Sequence, residues 1–264
     1  MFYSVRLDMK VLVMGLGHLA QYIHQEFHES FEIWGTYRSQ LAECFDPNRS
    51  FQFDTKDEVP HALNQDFDLI IWNYPPHDQY LDLLERADKF FSETIPWIYI
   101  GSTGVYKEGS ISETSLLGKD SPRRKRLSDL EECLSHFNRK ISIVRPSGLI
   151  DEKRYPGRFF KTKSEVSFAQ NQINLVYTKD VARFIKFIFE KKLLGESFNL
   201  AAGHHPSKYE FYHELIDPMD RVRIQWQMEQ SENKIIDNTK SKRIGFRYLI
   251  DEDLLEIKKL KDEL

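Results

Sequence analysis

Apolar runs of three to seven residues recur along the first part of the chain, separated by more polar stretches. Several of them lack the polar alternation of a half-exposed strand, as expected for strands that are covered on both faces. They predict six strands of a buried sheet. In chain order the runs are Val11–Met14, Phe31–Tyr37, Phe51–Phe53, Phe67–Trp72, Ile95–Ile100 and Ile141–Arg145.

Helical spacing of apolar residues appears between and after these runs. Strands that alternate with helices are typical of a parallel sheet with right-handed crossovers. We therefore expect an α/β fold built on a Rossmann-type, doubly wound parallel sheet. The predicted helices are Leu19–Phe27, His77–Phe91, Arg123–Phe137 and Lys179–Lys192.

The pattern loosens after Pro146. Residues 147–171 and 204–264 are predicted to form a small C-terminal lobe, within one domain that spans residues 1–264. Further elements are predicted in this part: strands at Ile173–Tyr177, Ser197–Ala201 and Val222–Trp226, and helices at Ser207–Leu215 and from Asp251 onward.

The first predicted strand runs directly into the motif Gly15-x-Gly17-x-x-Ala20, and a predicted helix follows at once. Gly15 would permit an unusual turn, Gly17 would leave room for a pyrophosphate, and Ala20 would let the helix pack closely on the strand. The N–H groups at the helix start, around His18 and Leu19, would face the phosphates. The motif predicts a dinucleotide-binding loop; the alternative is an ordinary strand-to-helix turn.

The charge balance narrows the class of partner. The 264 residues carry a formal net charge of −4, which disfavours nucleic acid and anionic membranes. Cys44 and Cys133 are expected to be reduced thiols, and neither they nor His204-His205 predict a metal site. No secretory leader pattern precedes the first strand, so we expect a cytoplasmic location. We also expect a monomer or homodimer without nucleic-acid or membrane partners.

Several segments in the expected order resemble those of the extended and atypical short-chain dehydrogenase/reductases, the group that includes nucleotide-sugar epimerases and dehydratases. The resemblance implies an NAD(P)-binding Rossmann domain with a substrate lobe, and a small polar substrate such as a nucleotide sugar. The matching segments are Gly15–Ala20, Gly101–Tyr106, Val144–Ile150 with Pro156–Arg158 after it, Asn174–Ala182 and Phe198–Leu200.

The resemblance assigns roles to residues that follow the strands. Ser102 takes the place of the family's catalytic Ser or Thr and would hydrogen-bond a substrate hydroxyl or carbonyl; the alternative is a serine that caps a helix or a turn. Asn73 and Pro75 follow the fourth strand, where family members line the middle of the cofactor, although a plain turn is an alternative. Pro146 lies in the segment that passes the nicotinamide.

The residues after the second and third strands bear on cofactor choice. Tyr37-Arg38-Ser39 offers a cation and hydroxyl groups where an Asp or Glu would favour NAD, so we expect NADP, with NAD as the alternative. A solvated arginine at a strand end is the other interpretation of Arg38. Asp54 would accept from the adenine amino group, or it would form a turn with Thr55.

The family's Tyr, followed four residues later by Lys, is missing, because no Tyr in the chain has Lys at that spacing. In one register Lys125 holds the place of the Lys and Ser121 that of the Tyr. In another, Arg123 or Arg124 stands at the Tyr position and no Lys remains. A serine hydroxyl would be a poor replacement for the general acid/base. The basic run from Arg123 to Arg126 is either a phosphate patch or a solvated helix start.

A second departure is Lys107, which stands where Gly commonly follows Val-Tyr in the family. Two functions follow from the whole pattern. The chain is expected to be an NADP-dependent enzyme with an unusual proton donor, for which Tyr106, Tyr155, Tyr177 or a water would substitute. The alternative is a catalytically silent NADP-binding sensor or regulator.

Overall fold

Seven strands form the main sheet in a computed structural model that describes residues 9–77, 79–160, 162–231 and 233–261. The strands of the chain are β1 Lys10–Met14, β2 Glu32–Tyr37, β3 Ser50–Gln52, β4 Leu69–Trp72, β5 Trp97–Ile100, β6 Gly109–Ile111, β7 Ile141–Pro146, β8 Gly148–Ile150, β9 Glu165–Val166, β10 Leu175–Tyr177, β11 Ser197–Leu200, β12 Gln225–Trp226 and β13 Lys234–Ile236.

Eight α-helices lie within the described residues: α1 His18–Phe27, α2 Tyr80–Phe90, α3 Pro122–Ser135, α4 Thr178–Glu190, α5 Lys208–Leu215, α6 Pro218–Arg221, α7 Thr239–Arg243 and α8 Ile257–Lys261. Short 3-10 turns occur at Pro47–Arg49, His61–Leu63, Thr103–Val105, Pro156–Phe160 and Leu254–Glu256. None of the described helices is both long enough and apolar enough to span a bilayer.

The order of the main sheet is β11-β7-β5-β4-β1-β2-β3. Strand β1 lies in its interior, in parallel register with β2 (Lys10 opposite Glu32) and with β4 (Val11 opposite Leu69). The chain first adds strands on one side of β1 and then returns to add the others on the opposite side. The predicted α/β, Rossmann-type parallel sheet is confirmed. In such sheets ligands bind at the carboxyl ends of the strands where the order reverses, here between β1 and β4.

The central strands β1 and β4 are buried on both faces. Val11 to Met14 and Leu69 to Trp72 have no solvent exposure. One apolar cluster includes Leu12, Ile70 and Trp97, together with residues of α2 and α3. The burial explains why these strands are continuously apolar instead of alternating.

The chain divides into two compact units. The first contains the described residues up to Val105, Leu117–Arg145 and Ala182–Phe198; the second contains Tyr106–Leu116, Pro146–Val181 and the described residues from Asn199 onward. The second unit has three two-stranded parallel sheets, β10-β8, β12-β9 and β13-β6. It includes the stretches expected to form the C-terminal lobe, and the role of that lobe in holding a substrate stays a prediction.

Two elements of the second unit differ from the sequence-based expectation. Of Val222–Trp226, only Gln225–Trp226 is a strand, because Asp217 caps the short helix α6 and Val222 ends that helix. The last helix does not begin at Asp251. The carboxylate of Asp251 instead accepts from Gly203 N at 2.7 Å and pairs with Lys242, and helical turns begin only after Asp253 caps Leu255.

Candidate functional site

A cavity of about 530 Å³ opens in the first unit at the carboxyl ends of β1 to β4. It lies at the reversal point of the sheet, where an open α/β fold binds its ligands. The structure brings together eight of the residues predicted to hold a cofactor: Gly15, Gly17, Tyr37, Arg38, Ser39, Asp54, Asn73 and Pro75 all line this cavity.

Gly15 lies in the turn that follows β1, at the edge of the cavity. Its φ of 107° is in the left-handed region, and a side chain there would begin 3.1 Å from the Tyr74 ring. Thr36 Oγ1 accepts a hydrogen bond from Gly15 N at 3.1 Å, and Asn73 Nδ2 donates one to Gly15 O at 2.8 Å. The loop is therefore fixed by the ends of β2 and β4.

Gly17 precedes helix α1 and provides an open approach to its first turn. A Cβ at Gly17 would meet no atom within 4 Å, so the missing side chain leaves free space. The first turn has no side-chain cap and no acidic residue. His18 and Leu19 begin the helix, and because the Leu19 side chain is buried, its backbone N–H is the group that could meet a ligand. This arrangement fits the pyrophosphate of a dinucleotide.

Tyr74 and Thr36 support the loop, and sequence reasoning missed both. Tyr74 is 9% exposed, its hydroxyl shares a short hydrogen bond with Thr36 Oγ1, and burial raises its pKa above the usual value. A side chain on Gly35 would collide with Leu16. The sequence signal that could have indicated Thr36 is Gly35-Thr36 inside the mostly apolar run Phe31–Tyr37. A glycine within a strand marks a position where another segment approaches closely.

Two cations, Arg38 and Lys56, lie on the side of the cavity formed after β2 and β3. Among the described residues neither side chain has an ion-pair partner. Asp54 accepts from Lys56 N at 3.1 Å, so it does form a turn, and it also lines the cavity. Arg86 on α2 holds this turn by donating to Thr55 O at 2.7 Å.

Ser102 follows β5, next to β4 in the sheet, and begins the turn Thr103–Val105. Its Oγ accepts from Gly104 N at 3.0 Å. The side chain is half-buried and does not line the cofactor cavity. Pro146 ends β7 and belongs to the second unit, so its role toward a cofactor stays a prediction.

Ser121 and Lys125, the residues considered for the missing Tyr and Lys, make other interactions. Ser121 caps helix α3, where its Oγ accepts from Arg124 N at 3.2 Å. Lys125 is 62% exposed and pairs with Asp129 at 2.6 Å. It lines a separate cavity of about 300 Å³ together with Leu81 of helix α2. This geometry gives no acid/base pair at Ser121 and Lys125.

The tyrosines considered as substitutes lie in the second unit. Tyr106 is fully buried, and its hydroxyl donates to Asn199 Oδ1 at 3.0 Å. Tyr177 donates to Glu152 Oε1 at 2.6 Å, and burial and this carboxylate raise the pKa of Tyr177 above its usual value. Tyr155 is 5% exposed in an apolar cluster. A raised pKa opposes the role of a proton donor tuned to neutral pH.

A buried ion pair behind the end of β5 was also missed from the sequence. Glu131 of α3 and Arg145 of β7 are each at most 5% exposed, and Arg145 Nη2 lies 2.7 Å from Glu131 Oε2. The Glu131 carboxylate also lies 3.1 Å from the point where a Gly101 side chain would begin. Within the described residues no three His, Cys, Asp or Glu side chains are arranged to hold a metal ion.

Comparison with known proteins gives a distant curated relative. No protein-family model matches the chain. Protein YeeZ of Escherichia coli K12 is 28% identical over 182 residues, which is 66% of this chain and 66% of that protein, just under two thirds of its length. The sequence relationship is real but covers only part of both chains.

Solved structures match over nearly the whole chain. UDP-N-acetylglucosamine 4-epimerase from Methanobrevibacter ruminantium superposes with a TM-score of 0.76 at 15% identity, covering 97% of this chain and 96% of the other. dTDP-glucose 4,6-dehydratase from Bacillus anthracis, in complex with NAD, gives 0.75 at 15% identity over 97% and 95%. The chain has the fold of these enzymes. UDP-glucose 4-epimerase from Thermotoga maritima, with UDP-glucose, gives 0.72 at 16% identity over 97% and 98%. At these identities the likeness establishes the fold alone.

Proposed function

We propose that the chain binds NADP(H) in the cavity at the ends of β1 to β4 and acts as an NADP-dependent enzyme of the epimerase/dehydratase type on a small polar substrate, such as a nucleotide sugar. The observation that carries the proposal is that the glycine loop and Arg38 line the same cavity. The bound cofactor would supply a hydride donor or acceptor. The chain's own residues would hold and orient it.

The donors and acceptors of the cavity suit the parts of a dinucleotide. Gly17 and the N–H groups that begin α1 would receive the pyrophosphate, since a side chain at Gly17 would enter open space. Asp54 would accept from the adenine amino group. Asn73 and Pro75 would lie along the middle of the cofactor.

Arg38 supports NADP over NAD. Among the described residues that line the cavity, Asp54 is the sole carboxylate, while Arg38 and Lys56 supply positive charge. A guanidinium pairs with a 2′-phosphate in a two-pronged geometry, whereas NAD recognition would require an acceptor for the ribose hydroxyls. NAD binding is the weaker alternative.

Replacing Arg38 by Ala tests the cofactor proposal. We expect NADPH affinity to fall about tenfold or more, because a charge-assisted contact is lost, while NADH affinity changes little. Isothermal titration calorimetry measures both. Arg49→Ala is a matched control, since Arg49 pairs with Glu32 and does not line the cavity. Equal losses for the two cofactors in Arg38→Ala would argue against a 2′-phosphate site.

Turnover is expected to be slow, because positioned acid/base catalysis contributes about 10²–10⁴-fold and no Tyr in the sequence is followed four residues later by Lys. With an accepted substrate, Ser102→Ala should lower turnover because Ser102 would hydrogen-bond an oxygen of the substrate. Ser121→Ala should change turnover little, since Ser121 caps α3. A loss of activity in Ser121→Ala alone, with Ser102→Ala unaffected, would reverse these roles.

The second candidate is a catalytically silent NADP-binding sensor. The observation that favours it is the use of Ser121 as a helix cap and of Lys125 in an ion pair with Asp129. A sensor would bind NADPH and show no turnover. Addition of NADPH would change its protease sensitivity or its partner binding, and the change would be the same in Ser102→Ala and in Ser121→Ala. We also propose that the protein is cytoplasmic and is a monomer or homodimer. Cell fractionation would test the location, and light scattering would test the oligomeric state.

A further inference from the structure

Arg123 differs from its neighbours in the basic run that begins helix α3. Arg124 pairs with Asp120 at 2.9 Å and Lys125 pairs with Asp129 at 2.6 Å. Arg126 also has an interaction partner. Among the described residues the Arg123 guanidinium has no hydrogen-bond or ion-pair partner. One cation of this run is therefore available to a ligand.

Arg123 points toward the end of β5. A carbon placed on Gly104 where a side chain would begin lies 3.6 Å from Arg123 Nη2 and 3.1 Å from Ser102 Oγ. The guanidinium and the hydroxyl thus meet around Gly104, which has no side chain to fill the space between them. Both groups belong to the first unit, and Ser102 follows the strand next to β4.

The helix register fixes this orientation. Leu127, one turn after Arg123, is 3% exposed and lies 3.6 Å from the same point on Gly104. Residues four apart share a face of an α-helix, whereas residues two apart point about 200° away from each other. Arg123 therefore faces Ser102, and Lys125 faces away, where it pairs with Asp129.

Both side chains can donate hydrogen bonds. The Ser102 oxygen already accepts from Gly104 N at 3.0 Å, and its O–H remains a donor for a ligand. A guanidinium offers only donors and keeps its charge at every accessible pH. Arg123 can thus bind and stabilise a negative oxygen, but it cannot supply the proton that the missing Tyr would provide.

We propose that Arg123 and Ser102 form an oxyanion-binding site that holds a carboxylate or phosphate group of the substrate. The proposal rests on the proposed function, because the anionic group bound here would belong to the substrate of that enzyme. It makes Arg123, and not Lys125, the α3 side chain that selects the substrate. The competing interpretation is a solvated helix start that contacts no ligand.

Anion binding by the full-length protein saturated with NADPH tests this site. The probes are sodium oxalate, which supplies carboxylates, and inorganic phosphate, each titrated by calorimetry. We expect Arg123→Gln to weaken binding of the preferred anion about tenfold or more, and Ser102→Ala to weaken it by roughly twofold to tenfold. Arg123→Lys should retain part of the affinity because it keeps the charge. The preference between oxalate and phosphate distinguishes the two sources of oxyanion.

Arg124→Gln is the matched control, since it removes a charge from the same helix turn but from a side chain paired with Asp120. It should leave anion affinity within about twofold of the parent, as expected for a residue outside the site. Thermal unfolding of each variant confirms that it folds. The proposal is overturned if the parent binds neither anion at millimolar concentration, if Arg123→Gln binds like the parent, or if Arg124→Gln weakens binding equally.

Failure of this inference is separable from failure of the proposed function. NADPH binding is measured in the same instrument before any anion is added. Normal NADPH binding with anion affinity that is indifferent to Arg123 rejects the oxyanion site alone. Absence of NADPH binding rejects the cofactor proposal, and with it the substrate site argued beside that cofactor.

Discussion

Gly17 and Gly15 lie two residues apart and have different physical reasons for being glycine. Gly17 has φ −90°, which any residue adopts, and open space in front of it. We expect Gly17→Val to fold with an unchanged unfolding midpoint and to lose binding of both NADPH and NADH, because the side chain would occupy the pyrophosphate's position. Calorimetry together with thermal unfolding would measure this. A variant that binds either cofactor normally would contradict it.

Gly15 is expected to behave in the opposite way. Its φ is positive, and the Tyr74 ring lies 3.1 Å from the point where a side chain would begin, so a larger residue strains the backbone and displaces a buried ring. Gly15→Val should therefore lower the unfolding midpoint even without cofactor. Thermal unfolding monitored by circular dichroism would show it. An unchanged midpoint would mean that the loop adapts more freely than its hydrogen bonds suggest.

At the scale of residues, the sequence predicted several residues that line the cavity, and these were recognisable from the local chain. Gly15 and Gly17 are recognisable from their spacing between a strand and a helix, and Arg38 from its place after β2. Thr36 and Tyr74 were missed because their contact needs β2 and β4 to lie on either side of β1. Arg123 was left open between registers, since only the helix orientation separates it from Lys125.

At the scale of elements, the strands of the main sheet were predictable, whereas most of the short strands in the second unit were not. The six predicted strands of the main sheet are all present, and the apolar runs of β1, β4 and β5 are the most deeply buried of them. The paired strands β9 and β12 have two residues each, too few to show a period, so their sequence resembles loop. The helix predicted at Ser207–Leu215 is present as α5, and Ser207 and Glu210 form a capping box at its start.

The Glu131–Arg145 pair joins helix α3 to strand β7, and its loss should be costly. Both side chains are buried, so Glu131→Gln removes the carboxylate that pairs with buried Arg145, at a cost of about 3–5 kcal/mol in the free energy of unfolding. Urea unfolding would measure it. Glu132→Gln is the control, since Glu132 pairs with Lys119 on the surface and its loss should have little effect. Equal effects of the two changes would contradict a structural role for the buried pair.

At the scale of the whole molecule, the order of the strands determines where the candidate site lies. The reversal of strand order beside β1 places the carboxyl ends of four strands around one cavity, and the residues of that cavity come from four separate parts of the chain. The alternation of strands and helices predicted this arrangement. The identity of the substrate was not predictable. The predicted substrate lobe consists mainly of irregular segments after Pro146, and the short strands there pair over long distances in the chain.

The central claim is that this cavity is built for NADP. The most direct measurement is calorimetric titration of the unmodified protein with NADPH and with NADH under one buffer. The Arg38 guanidinium, and the absence of a carboxylate from Tyr37-Arg38-Ser39, predict that NADPH binds about tenfold or more tightly than NADH. Equal affinities, or tighter binding of NADH, would contradict the account.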